Sequence, residues 1–324
     1  ITEQLILDGA GHLPSGGRVY QPAFVEGFYS ELEYQPAWRD AGQVVEMLEL
    51  LKASESDGLD PADYHYPELS SLWTAQGGWP ALDRSRARFD VLLTDGILLY
   101  VRHLLEGKAD PRQFDPSFNY ARIDFQPSRV SASLRKAIAE DRIASVIREA
   151  RPSQVFYQQM MAALAHYRAL DASKRFEPVP DDVVLRPGQP HANIPAVRAR
   201  LADLGYLEPG GNPSDVYGEP LEAAVRQFQQ DHGLDVDGII GRQSYAFLNM
   251  SYRQRIDSLR VNMDRLRWVA RDITDDFVIV NIAGFEMYYF RKLKLHWESP
   301  VMVGTIEHQT PIFTARLKYL EFNP

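Results

Sequence analysis

The chain has 324 residues, 45% hydrophobic and 24% charged, with a formal net charge of −9; that length and composition suit two or three domains with sizeable cores. The acidic balance argues against a nucleic-acid partner, which needs a concentrated basic face. There is no cysteine, which excludes disulfides, zinc–thiolate sites and a thiol nucleophile within these residues.

From Ala41 to Ser54, Val44, Met47, Leu48 and Leu51 recur at helical spacing and predict an amphipathic helix, with Asp57-Gly58 as its left-handed stop. Asp60-Pro61 supplies an N-cap and a proline at the first position of a short helix. Ser85 to Glu106 reads as a long buried helix ended by Gly107. Its most apolar run, Val91 to Val101, is broken by Asp95 and closed by Arg102 and His103, so it is too short and too polar for a membrane span. Asp110-Pro111 and Asp115-Pro116 mark a loop. Ser128 to Ala150 is amphipathic through Val130, Leu134, Ile138 and Ile143, and Gln154 to Leu170 adds a helix with Met160, Met161 and Leu164. These stripes predict a helix-bundle core, and Trp38, Trp73 and Trp79 are expected to pack in it rather than stack on sugars.

Phe176 to Pro195 holds Pro178, Pro180, Pro187, Pro190 and Pro195, a density that blocks helix interior and central strand and reads as a linker. Ile194 to Leu204 is a helix with Val197, Leu201 and Leu204 on one face and Gly205 as its cap. Glu219 to His232 is a second, with Leu221, Val225 and Phe228 aligned and Gly233 at its end. Asp237-Gly238 and Gly241 make tight turns into a third, Arg242 to Leu248. Asp257 to Ala270 is one more helix, with Leu259, Met263 and Leu266 on one side. Then the period changes from helical to alternating. Strands are expected at Phe277 to Ile282, Phe285 to Phe290, Trp297 to Val303 and Arg316 to Phe322, with Ala283-Gly284 as the first turn. A meander that stops there leaves an edge uncovered, so the chain reads as truncated within this domain. It also opens at Ile1 with no export signal in view, which reads as loss of a preceding segment.

Two stretches carry a resemblance. Ile194-Pro195-Ala196-Val197-Arg198-Ala199-Arg200-Leu201, Leu204-Gly205-Tyr206-Leu207, Leu221 to Gln229, His232-Gly233-Leu234 and Asp235 to Gly241 occur in order. Together they resemble the three-helix peptidoglycan-binding domain found beside many cell-wall enzymes. Arg242-Gln243-Ser244 depart from it, since many members have Pro or Thr after the last glycine. Asn262 to Trp268, Val280-Asn281-Ile282, Val301 to Gly304, Gln309-Thr310-Pro311 and Leu320 to Pro324 resemble the opening of an L,D-transpeptidase catalytic domain of the large periplasmic branch. In that branch a helical scaffold domain comes first. The expected fold class is therefore multidomain α plus β: a helical scaffold domain over 1–180, a three-helix peptidoglycan-binding-like domain over 181–250, and the start of a mostly β catalytic domain over 251–324.

The resemblance implies a periplasmic enzyme of a Gram-negative bacterium, exported, that forms 3-3 cross-links in peptidoglycan. Its partners would be glycan and stem peptides, with other cell-wall synthesis proteins. A Cys thiolate attacks the carbonyl after meso-diaminopimelate in a donor tetrapeptide, releases D-Ala, and passes the acyl group to a second stem peptide or a lipoprotein amine. A His serves as base and backbone N–H groups hold the oxyanion. In the family that His and a Ser-x-Gly-Cys-x-Arg motif follow the Asn323-Pro324 match, so no residue here is assigned a catalytic role, and no cofactor is implied. His308 reads as an exposed loop histidine. The eight histidines form no His-Glu-x-x-His and no i, i+4 pair, so no metal site is expected. For the binding domain, Tyr217, Arg226, Gln229 and Arg242 are the candidates for a groove holding glycan or stem peptide, although polar side chains on helical surfaces are often only solvated. Two other readings stay open: a non-catalytic peptidoglycan-binding or scaffold protein, and a hydrolase that uses the same domain.

Overall fold

The computed structural model describes residues 11–14, 16–75, 77–80, 83–114, 126–210, 214–273, 275–305 and 307–318. They fall into two compact units: 1–161 with 260–324, and 162–259.

In the first unit, helix α1 (Pro22–Glu31) buries Val25, Phe28 and Tyr29. No stripe had marked it. Helix α2 (Ala41–Lys52) buries the expected Val44, Met47, Leu48 and Leu51, and its Asp40 N-cap accepts the Gln43 N–H at 2.9 Å. A 3-10 turn, Ala53–Asp57, extends it and ends on Gly58 with φ 72°. Asp60 caps a second 3-10 turn, Pro61–Tyr64, which leads into α3 (Tyr66–Thr74). Helix α4 (Asp83–Glu106) is the centre of the bundle, since every residue from Phe89 to Ile97 is buried, as befits a helix covered on all sides. Trp38 is buried and donates from Nε1 to Thr94 at 3.0 Å, while Trp73 and Trp79 pack half-buried against Phe89.

The stretch read as one helix from Ser128 to Ala150 is two, α5 (Pro127–Ala139) and α6 (Ile143–Ala150). Asp141 sits between them at φ 52°, the Arg142 N–H returns to the Ala137 carbonyl at 2.8 Å, and Gln43 donates to the Ile138 carbonyl at 3.1 Å. A left-handed residue with those two donors closes α5 where the apolar stripe alone would continue. Helix α7 (Val155–Ser173) follows.

Three buried carboxylates organise this bundle. Asp90 accepts from the Tyr29 hydroxyl at 2.6 Å and from the Ala37 and Trp38 N–H groups at 3.0 and 3.2 Å. Burial pushes its carboxyl above the usual range. Asp95 accepts the Tyr20 and Gln21 N–H groups at 2.9 and 2.8 Å and lies 2.7 Å from His65 Nε2. Asp57 accepts from both Arg151 nitrogens at 2.7 Å, from Tyr100 at 2.8 Å and from Tyr157 at 3.0 Å. Each pins an internal segment between helices or before α1 to the bundle, and each has the partners a buried charge needs.

His103 on α4 lies 3.0 Å from the Tyr64 hydroxyl, and burial pulls its pKa down to about 4. The unfolded value is about 6.5. Below that pH the unfolded chain takes up a proton that the folded chain refuses, so the stabilisation is complete above about 6.5 and is lost as pH falls towards 4. Urea unfolding at pH 7.5 and 4.5 should show a loss from this group on the order of 2–3 kcal/mol. His103→Gln should be less pH-sensitive by that amount; equal slopes in the two proteins would refute the assignment.

The second unit holds α8 (Ile194–Asp203), α9 (Glu219–Asp231) and α10 (Arg242–Leu248). Their core is Val197, Leu201, Leu221, Val225, Phe228, Tyr245 and Leu248. Gly205, Gly233 and Gly238 take positive φ as the turns require. The proline-dense stretch is not a free linker: Val179 and Leu185 are buried in this same core, Asn249 pairs with both backbone groups of Val179, and Leu185 bridges Ile240. Proline excludes regular structure without excluding packing. Helix α11 (Tyr252–Val269) starts five residues before the predicted Asp257, and the division between the units falls inside α7 and α11.

After α11 come β1 (Phe277–Asn281), β2 (Glu286–Arg291) and β3 (Lys294–Pro300), an antiparallel sheet in the order β1-β2-β3. Phe277 faces Phe290, Tyr289 faces Trp297, and a bulge between Tyr289 and Phe290 shifts the register. Lys292 and Leu293 both have positive φ, so a tight two-residue turn joins β2 to β3. The third strand begins three residues before the predicted Trp297. The predicted fourth does not form over its described residues, 316–318; Leu320 to Phe322 lie outside them. The architecture is thus helical first, then the three-helix domain, then a small antiparallel sheet.

Candidate functional site

The four residues singled out for binding all surround one turn, residues 236–241, between α9 and α10. Their roles differ. Tyr217 is buried and its hydroxyl donates to the Gly238 carbonyl at 2.7 Å. Burial pushes that hydroxyl's pKa upward. Gln229 is buried as well. Its Nε2 donates to Asp237 Oδ1 and to the Ile239 carbonyl, both at 2.9 Å, while its Oε1 accepts the Gly238 N–H at 2.8 Å. The expectation that Tyr217 and Gln229 line an open groove is therefore corrected: their polar atoms face inward and hold the turn from beneath.

The two arginines are exposed. Arg226 donates from Nε to Glu222 at 3.0 Å and from a terminal nitrogen to the Val236 carbonyl at 2.7 Å, so it braces the turn from its outer side. Arg242, the first residue of α10, is exposed, and its side chain makes no hydrogen bond or ion pair among the described residues. The turn itself is closely fitted. The Ile239 N–H donates to Asp237 Oδ1 at 2.8 Å, and that bond holds the Asp237 carboxyl below the usual range. Gly238 has φ 73°, and a Cβ there would stand 3.2 Å from Glu222 and 3.3 Å from Arg226. The result is a closely held turn, exposed at Val236 and Asp237 and buried at Gly238 and Ile240, with one exposed guanidinium beside it and a second on its flank, an arrangement suited to anionic or hydrogen-bonding groups of a polymer. Residue-type reasoning missed that the backbone groups of 236–239 take up these side chains; the Asp237-Gly238 pair signalled the turn itself.

Residues 190–248, which contain this turn, match the peptidoglycan-binding domain family. Residues 23–164 match the scaffold domain family. The chain is also similar to the N-acetylmuramoyl-L-alanine amidase CwlM of Mycobacterium tuberculosis, at 39% identity over 82 residues, 22% of this chain and 20% of that protein. A probable CtpA-like serine protease of Staphylococcus epidermidis is 35% identical over 60 residues, 18% of this chain and 12% of that protein. The chain thus spans a fifth or less of these relatives' lengths. The family match associates residues 190–248 with peptidoglycan.

Elsewhere, His308 is exposed. Among the described residues, no group of three or more His, Asp or Glu side chains is arranged to hold a metal ion, and no helix is long and apolar enough to cross a membrane.

Proposed function

We propose that this chain serves peptidoglycan L,D-transpeptidation in the periplasm of a Gram-negative bacterium, with residues 190–248 holding the wall polymer. The observation that carries the reading is the order of parts. A scaffold domain and a peptidoglycan-binding domain are followed by the Asn262 to Trp268 helix and by antiparallel strands leading to Val301 to Gly304 and Gln309 to Pro311. The chemistry would be acyl transfer through a thiolate. No thiol is present among these 324 residues, so the reaction belongs to a polypeptide that adds one. Such a polypeptide, continuing this sequence into a Ser-x-Gly-Cys-x-Arg motif, should join two stem peptides between their diaminopimelate residues and release D-Ala. Its Cys→Ala variant should form no acyl-enzyme. Lack of acyl-enzyme with the cysteine intact would sink the transpeptidase reading.

The binding-domain match alone would also suit a second reading, a non-catalytic protein that binds peptidoglycan and positions other wall enzymes. It would show retention on the wall without cross-linking, while release of soluble fragments would favour a hydrolase. Binding itself is tested on purified sacculi. Arg242→Glu should weaken co-sedimentation of the whole chain about tenfold, the scale of one lost charge-assisted contact, with unchanged circular dichroism. Retention equal to the unsubstituted chain would remove Arg242 from the binding surface.

A further inference from the structure

Asn262 to Trp268 was singled out as a motif, and the binding site does not use it. Its structural partner is the helical bundle of the same unit. Along α11, Arg260, Met263, Asp264, Arg267 and Trp268 recur at helical spacing on one face. Arg260 Nε donates to the Gly58 carbonyl at 2.9 Å, and Asp264 accepts the Lys108 and Ala109 N–H groups at 2.7 and 3.1 Å. Met263 is fully buried. Arg267, 1% exposed, donates to the Asp57 carbonyl, to Tyr157 Oη at 2.7 Å and to Asp264 at 3.2 Å. Two glycines of positive φ clear the way. A Cβ on Gly107 would lie 2.5 Å from the Trp268 indole nitrogen, and one on Gly58 would lie 3.3 Å from Arg260. Asn262 and Arg265, on the other side of the helix, are exposed.

The connection from this docked helix to the sheet is short. The Ala270 carbonyl is held by Gln154 Nε2 at 2.7 Å. Asp275 and Asp276 are already tied to the β2–β3 turn, through Leu293 N–H at 2.9 Å and Lys292 N–H at 2.9 Å. Only 271–274 lie between.

We infer that the 260–268 face of α11 is a docking key by which the scaffold sets the position of the C-terminal sheet, with Arg267 as the positioning residue. What the sheet carries rests on the proposed function; the docking does not, and its test needs no activity. A buried guanidinium fork that must meet a carbonyl, a phenol and a carboxylate at once admits one seating of the helix, where an apolar face would tolerate several.

The absence of cysteine makes the test direct. Spin labels go on Glu49→Cys in α2 and Lys294→Cys in β3, both exposed positions, and their separation is read by pulsed electron resonance in the whole chain. The unsubstituted background should give one narrow distance distribution. Arg267→Lys, which keeps the charge and loses the fork, should at least double its width, and Gly107→Ala should do the same from the Trp268 side. Each variant should keep its helical circular dichroism far below its melting temperature. A residue that only added stability would move the melting point and leave the width alone. A distribution already broad without substitution, or one that stays narrow in either variant, overturns the inference. Should a variant not fold, the width in the unsubstituted background decides.

Discussion

Replacing Asp57 by Ala should cost the chain about 3–5 kcal/mol of folding stability, the range for removing one partner of a buried charge pair. The carboxylate is fully buried and takes four donors from three separate helical regions: the two Arg151 nitrogens, Tyr100 on α4 and Tyr157 on α7. Truncation leaves the Arg151 guanidinium, itself only 21% exposed, facing two phenols with no counter-charge. It also removes the group about which those helices meet. The two phenols could turn to other partners or to water, but the guanidinium could not recover its bidentate pairing. A double-mutant cycle separates the pair from its surroundings: Asp57→Ala with Arg151→Met should lose less than the sum of the singles, because the stranded charge is gone. Urea unfolding of the four proteins measures it. A single-mutant loss under about 1 kcal/mol would mean that water reaches the site and the network contributes as little as a surface pair.

The sequence reveals most about the structure where side-chain pattern and backbone geometry agree. Val44, Met47, Leu48 and Leu51 sit where their spacing says, and Asp60-Pro61 caps the turn it announces. Reading failed where a long-range polar contact decided the outcome. The α5–α6 break depends on Gln43, about a hundred residues away, meeting the Ile138 carbonyl and Asp141, and no local pattern encodes that. Val179 and Leu185 were hidden among prolines whose effect on regular structure is real and whose effect on packing is nil. At the candidate site the residue types suggested a surface, yet the helical period already placed Gln229 eight residues after Leu221 and four after Val225, on the buried stripe of α9. A glutamine there is either an error of folding or a deliberate internal hydrogen-bonding group, and the turn it serves lies far enough along the chain that only the folded structure reveals it.

Gln229→Leu tests that role. The substitution keeps close to the side chain's volume, so the packing penalty is small, and it removes the three hydrogen bonds to the turn at once. The Gly238 N–H then loses its partner in a buried setting, at about 1–3 kcal/mol, while the Ile239 carbonyl keeps the Ser244 hydroxyl at 3.3 Å. Asp237 is exposed and keeps the Ile239 N–H, so its share is minor. A total loss of about 1–3 kcal/mol is expected on those grounds, read by urea unfolding. Hydrogen exchange should localise the change, with protection at Gly238 falling first because its N–H has Gln229 Oε1 as its acceptor. Binding to sacculi should fall together with that protection, whereas Arg242→Glu should lose binding with protection intact. If Gln229→Leu bound the wall normally while its turn exchanged freely, the ordered turn would not be the recognition element, and the two arginines would have to act without it.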